Sequence, residues 1–184
     1  HAKVVGGSVT GGDDLTLEAL NDSTIKTASA AGGGSGTAAV NGSATTAVIA
    51  NSTLADISGA ALTGVKKVGV TALDKSDIHS LSGSASFSGT AAVGGAVTVN
   101  TILNETRAKI SDSALRQIDS LELGAANEST IKSAAAAGQG AGTAAVGGSN
   151  NTSIIKNSTE AELVKTTVGD GEHADAAEAV AVPA

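Results

Sequence analysis

The sequence is short of nearly every residue on which an ordinary globular core relies. Its 184 residues include no cysteine, methionine, tryptophan or tyrosine, one phenylalanine and one proline. Without cysteine there is neither a disulfide framework nor a thiolate metal site. Aromatic side chains usually dominate a core because each buries a large area. If this chain folds, it must therefore pack many small side chains in a regular arrangement.

Charge is also sparse, and its balance is acidic, with a formal net charge of −7. Nucleic acids and anionic membrane surfaces require basic groups, so we expect neither as a partner. No apolar run approaches the roughly 20 residues of a membrane span, so we expect no membrane insertion. The chain begins with His1 and shows no signal peptide. We therefore expect a processed mature chain or a cut fragment.

A 53-residue repeat fills most of the chain. The pentapeptide GTAAV occurs at 36–40, 89–93 and 142–146. The sequence around it aligns without a gap in three copies, and a long internal period of this kind indicates a repeat architecture. We predict a body of three repeats at 15–67, 68–120 and 121–168, between an N-terminal cap or edge segment at 1–14 and a C-terminal tail or cap at 169–184.

Each repeat contains a second, shorter period. An Asn or Asp precedes a Ser or Thr by two residues at six markers, with steps of 30 and 23 residues alternating. These markers are Asn21, Asn51, Asp74, Asn104, Asn127 and Asn157. An apolar residue stands four positions after each marker: Ile25, Ala55, Ile78, Ala108, Ile131 and Ala161. This pattern predicts turns of about 26 residues on average, two to each repeat.

The charged residues that follow give a test of this register. Lys26, Asp56, His79, Lys109, Lys132 and Glu162 stand five positions after the markers and should point to solvent. In successive 26-residue turns, Lys26 would lie next to Asp56 and Lys132 next to Glu162.

Runs such as 68–73 (VGVTAL) and 97–103 (VTVNTIL) alternate in hydropathy and are rich in Val and Thr, which is typical of strands. We therefore predict an all-β fold, a right-handed parallel β-helix (β-solenoid) of about six coils built from three 53-residue repeats. In such a fold, equivalent residues lie about 4.8 Å apart on successive coils. A β-roll or a sandwich built from the same strands is the alternative.

Two motifs have both a functional and a structural interpretation. The Asn-x-Ser/Thr markers, together with Asn41, Asn150 and Asn151, could be glycosylation acceptors. We favour turn formers whose side chains bond the local backbone. The glycine-rich stretches 32–36 and 138–142 lack the Lys-Ser/Thr of a phosphate loop. We expect them to form tight corners or protrusions.

The inventory for catalysis and metal binding is poor. His1, His79 and His173 are scattered, and none stands in a triad-like spacing. Asp13 and Asp14, and the acidic stretch 169–175, could bind a hard cation, although a solvated acidic loop explains them better. We predict that the protein is not an enzyme and has no catalytic, cofactor-binding or metal-binding residue.

Laid out in this way, the repeats resemble the passenger repeats of filamentous adhesins, the haemagglutinin-like proteins of type V (autotransporter) secretion. The resemblance rests on the unit at 68–115 and its two relatives, and covers about 15–168. It implies a right-handed β-helix that holds binding regions away from the cell. It is a likeness of repeat style, so it transfers no binding residue.

Our leading interpretation is a non-catalytic, extracellular structural or adhesive β-solenoid, a segment of a bacterial cell-surface adhesin. Its partner would be a protein or glycan on a host or neighbouring cell. A second interpretation is the mature subunit of an extracellular filament, joined end to end through solenoid edges or donated terminal strands. A polysaccharide-binding or polysaccharide-cleaving β-helix comes third, because one phenylalanine cannot supply a sugar-stacking groove.

Overall fold

Small side chains that alternate in polarity produce unusually long strands in this protein. The computed structural model describes residues 1–169 and 178–182. Ten strands occur in this part of the chain: β1 (Ala2–Val5), β2 (Ser8–Ser35), β3 (Ala38–Ser58), β4 (Ala61–Ser88), β5 (Ala91–Ser111), β6 (Ala114–Arg116), β7 (Ser120–Ala141), β8 (Ala144–Val164), β9 (Thr167–Val168) and β10 (Glu178–Val182).

The strands form two parallel sheets. Sheet A has the order β1-β3-β5-β8, and sheet B is built on β2, β4 and β7, with the short strands β6, β9 and β10 completing it. In sheet A, β3 pairs with β5 and β5 with β8, so that Ala38 lies beside Ala91 and Ala91 beside Ala144. Each repeat thus contributes one long strand to each sheet. The predicted all-β, parallel, β-solenoid-like fold is confirmed.

The pairing register is 53 residues, and the predicted step of about 26 residues is not a pairing register. Lys26 pairs with His79, and Asp56 pairs with Lys109. The expected neighbours Lys26 and Asp56 therefore lie on different sheets, and so do Lys132 and Glu162. That part of the prediction is wrong, because the two markers of a repeat belong to two facing strands rather than to successive turns.

The two long strands of each repeat run in opposite directions and face each other across the interior. Thr98 Oγ1 donates to Ser82 Oγ nearer the chain reversal, and Asn104 Nδ2 donates to Ser76 Oγ further from it. Within one repeat, a residue further before the reversal therefore faces a residue further after it, so that the sequence numbers of facing residues have a nearly constant sum.

Glycine is required where the chain reverses between the two sheets. Gly36, Gly89 and Gly142 are the first residues of the three GTAAV copies. A Cβ on Gly89 would lie 2.3 Å from the carbonyl oxygen of Gly36, and one on Gly142 would lie 2.4 Å from that of Gly89. GTAAV recurs because the backbones of neighbouring repeats touch at this corner.

A second column of special backbone conformation marks the opposite corner. Gly6, Gly59, Asp112 and Lys165 stand 53 residues apart, and all have positive φ, between 48° and 67°. L-residues rarely adopt this conformation, so its recurrence shows that the corner is imposed by the register. The register includes the segment before residue 15, since β1 pairs with β3 and Lys3 lies beside Asp56.

The interior changes character along the strands. Near the second corner it is a dense apolar core that includes Ile57, Leu62, Val68, Ile110 and Leu115, all fully buried. A smaller cluster of Ile49, Ile78 and Ile102 follows further along. Beyond it, towards the GTAAV corner, the inward positions carry mostly Ser, Thr, Asn, Ala and Gly.

Candidate functional surfaces

One half of the molecule carries no charge at all. Residues 27–50, 80–103 and 133–155 contain no Asp, Glu, Lys, Arg or His, and the register brings these three segments together. We call this the uncharged half, and the remainder of the two sheets the charged half. A sequence scan could have found it as three charge-free windows at the repeat spacing.

The uncharged half is apolar outside and polar inside. On the outer face of sheet A, Val40 and Val146 expose 76% and 64% of their surface, and Val48 and Val97 are also exposed. On the outer face of sheet B, Phe87, the one aromatic residue of the chain, is 60% exposed. Ordinary sheets place such residues on the core side.

The inward positions of this half hold hydroxyl and amide groups, several without a protein partner. Thr98 Oγ1 lies 3.0 Å from Ser82 Oγ and 3.2 Å from Thr45 Oγ1, so these three side chains bond each other. Both amide atoms of the fully buried Asn100 lack a partner, as do Oγ of Ser80 and Oγ1 of Thr27. Buried polar groups of this kind in native proteins are usually bonded to ordered water.

The charged half carries ion pairs that join neighbouring strands of the stack. Lys66 pairs with Asp13, Lys67 with Glu122 (2.9 Å), Lys75 with Glu128 (3.1 Å), Arg107 with Glu160 (2.9 Å) and Lys109 with Glu162 (3.9 Å). The hydrogen bond that Lys67 donates to Glu122, together with the charge of that carboxylate, raises the pKa of this lysine above its ordinary value. In each pair the base lies on the middle long strand of its sheet, β4 in sheet B or β5 in sheet A.

A buried carboxylate lies between the two apolar clusters of the interior. Asp74 is fully buried, and its oxygens accept four hydrogen bonds from Asn21 Nδ2 (2.8 Å), Thr53 Oγ1 (3.1 Å), Ser76 Oγ (2.8 Å) and Asn104 Nδ2 (2.7 Å). Two donors come from each sheet. Such a set of donors offsets the cost of removing the charge from water. The carboxylate of Asp74 thus bridges the two sheets.

The markers lie inside strands, and their side chains point inward. Asn104 and Asn127 are buried, and Asn157 Nδ2 donates to Asn127 Oδ1 at 2.8 Å. The prediction that the markers form turns and bond the local backbone is therefore wrong. Sequence could not separate the two cases, because Asn and Ser/Thr suit both a turn and an internal polar ladder. The apolar residues after the markers point inward, as predicted.

The remaining candidate residues do not assemble into a site. Asp13 and Asp14 are exposed on β2, and Lys66 neutralises Asp13. In the register, His79 lies between Lys26 and Lys132. All three residues line a shallow surface groove that has no carboxylate in its lining. The acidic stretch 169–175 and His173 lie outside the described residues, apart from Gly169.

The glycine-rich stretches run along the end of β2 and β7 into the GTAAV corner. Within residues 1–169, no group of three or more His, Asp or Glu side chains is placed to hold a metal ion. In the part of the chain that the structure describes, no helix is long and apolar enough to cross a membrane.

Comparison with known proteins adds no relative. No model of a protein family, no curated protein and no solved structure matches the chain.

Proposed function

We propose that this chain is a segment of a non-catalytic extracellular adhesin, a stiff β-solenoid that holds a binding surface away from a bacterial cell. In this proposal the two sheets wind right-handed as three 53-residue turns, since parallel crossover connections are almost always right-handed. The observation that carries the proposal is the continuous pairing of 21 to 28 residues per strand, repeated in register in both sheets.

Such a stack suits a shaft. The hydrogen bonds between parallel strands are evenly spaced and join each strand to the next, so they connect successive repeats along the stack. Because every repeat contacts only its neighbours, adding repeats lengthens the rod without altering its cross-section. A partner would then bind to the side chains on the outer faces of the two sheets.

An enzyme is not favoured by the arrangement of titratable groups. Polysaccharide cleavage by the usual route needs two carboxyl groups about 5 to 10 Å apart across a substrate groove. The groove beside Lys26, His79 and Lys132 has no carboxylate in its lining. A second groove is lined by Asp56, Glu105 and Glu162. There Arg107 pairs with Glu105, and Lys109 pairs with Glu162. The buried carboxylate of Asp74 is enclosed by its four donors and cannot reach a substrate.

The test is adhesion by the purified 184-residue chain. Beads coated with the folded chain should attach to host-cell monolayers or to bacterial cells. Beads coated with the variant Ile78→Asp, which places a charge in the apolar cluster and should unfold the stack, should not. Absence of attachment by both proteins, together with release of reducing sugar from a polysaccharide panel by the folded chain, would contradict the proposal.

A further inference from the structure

The outer face of sheet A in the uncharged half forms a broad apolar surface. It consists of eighteen outward positions, namely the even-numbered residues of 38–48 and their register partners in β5 and β8. Fourteen of the eighteen are Ala, Gly, Val or Ile, and the other four are Thr or Asn. We call this surface the sheet A apolar face. Contiguous apolar surfaces of this size on soluble proteins mark interaction sites.

We propose that the sheet A apolar face binds the same face of a second copy of this chain, so that two solenoids pair side by side. This inference goes beyond the proposed adhesive role, because it concerns how two shafts associate and not what they hold.

The distribution of charge favours this face as the contact between two copies. The chain has a net charge of −7, so two copies repel each other over most of their surfaces. All of that charge lies outside residues 27–50, 80–103 and 133–155. The uncharged half is therefore where two copies can approach without bringing like charges together.

The size of the face is sufficient for a dimer. Eleven residues along each strand and three strands across give roughly 40 by 14 Å at ordinary strand spacings, or about 1,100 Å² buried in total when two faces meet. A specific interface needs about 1,000 Å². Sheet B offers a poorer face, since its outward positions in this half are mainly Ala and Gly around Leu81 and Phe87.

A two-fold axis parallel to the stack, between the columns of Gly42 and Ala44, would place the face over itself. Val97, which is 43% exposed, then lies opposite Gly95 of the other copy, so that a ridge meets a groove. Interdigitation of this kind gives dry contacts between paired sheets. The same rotation carries the two charged halves to opposite sides of the dimer.

Sedimentation of three proteins tests the proposal. We expect the wild-type chain to be a dimer, and the double variant Val40→Lys/Val97→Lys to have a dissociation constant higher by about tenfold or more, because it would bury unpaired charges. The matched control is Leu81→Lys/Phe87→Lys, which adds the same charge at similarly exposed positions of sheet B and should remain dimeric. Far-UV circular dichroism should show that all three fold alike.

Three results would overturn the proposal. The first is a wild-type chain that sediments as a monomer up to high concentration. The second is a Val40→Lys/Val97→Lys variant that dimerises as well as the wild type while keeping its fold. The third is a control variant that dissociates to the same extent, which would remove the assignment to sheet A.

Discussion

Asn104 Nδ2 lies 2.7 Å from Oδ1 of Asp74, and this hydrogen bond joins the two sheets across the interior. The two residues are 30 positions apart, the longer of the two marker steps. In the first and third repeats an Asn stands where Asp74 stands, and Asn157 donates to Asn127 in the corresponding way. The markers of one repeat are thus partners across the interior, and the stack is held together by an internal polar ladder as well as by its apolar core.

Removing the carboxylate of Asp74 should destabilise the fold. Asp74→Ala removes the acceptor of four donors, three of them buried, at a cost of about 1–3 kcal/mol or more. Asp74→Asn should cost less, because one of the two acceptor positions survives. Urea unfolding followed by circular dichroism measures both. Asp77→Asn, at a less buried position of the same strand, is the control and should change stability little.

A methyl group at the GTAAV corner should be poorly tolerated. Gly89→Ala would place Cβ 2.3 Å from the carbonyl oxygen of Gly36, so the backbone of one repeat must move. We expect a loss of about 1–3 kcal/mol, which thermal unfolding would detect. Gly138→Ala, where nothing lies within 4 Å of the added Cβ, is the matched control. Equal melting temperatures for the two variants would show that the repeats do not touch at this corner.

The two halves should differ in local stability. The charged half has the core of Ile, Leu and Val, whereas the uncharged half is filled mainly by small and polar side chains. Local opening is easiest where few apolar contacts are buried. Hydrogen exchange should therefore be faster in peptides from 80–103 than in peptides from 61–79. Uniform protection along β4 would contradict this.

End-to-end association should be opposed by charge. Asp22, Lys75 and Glu128 form an acid–base–acid column, and Lys26 and Lys132 lie at the two ends of another. Two copies placed end to end would set Glu128 against Asp22 and Lys132 against Lys26, and like charges directly opposite destabilise pairing. We expect no long fibres from the wild-type chain at low ionic strength.

Neutralising the junction should relieve this repulsion. Asp22→Ala/Lys26→Ala should lengthen assemblies in negatively stained micrographs, and Asp77→Ala, in the middle repeat, should not. Long wild-type fibres at low salt would instead support the interpretation of a filament subunit joined through solenoid edges.

The sequence could predict the strands, their parallel arrangement and the inward positions such as Ile78 and Ala108, because side-chain alternation and the 53-residue period determine them directly. It could not predict the partner of each strand. Asn21 and Asn51 look alike because both point into the interior, where both donate to Ser23 Oγ, and that likeness predicts two successive turns. Two markers that lie one above the other in successive turns and two markers that face each other across the interior can have the same local sequence. Which arrangement occurs depends on where the chain reverses.

The exposed apolar residues of the uncharged half could not be predicted from the sequence for a similar reason. The polarity of 80–88 alternates regularly, Leu81, Gly83, Ala85 and Phe87 against Ser82, Ser84, Ser86 and Ser88. Alternation shows that every second side chain lies on the same face of the strand, but it does not show which face points inward. Apolar residues are ordinarily expected on the inward face. Here the neighbouring Ile78 fixes the register, and it turns the serines in and Phe87 out.

Force spectroscopy on a single chain held by its two ends would most directly test the central claim, that this protein is a stack of 53-residue turns that resists mechanical force. A shaft of this kind should resist force and then lose one turn at a time. Each released turn should add roughly 180 Å of contour length, the extended length of 53 residues. Steps of roughly 90 Å would show that the turn is about 26 residues. Extension without force peaks would show that the chain is not a shaft.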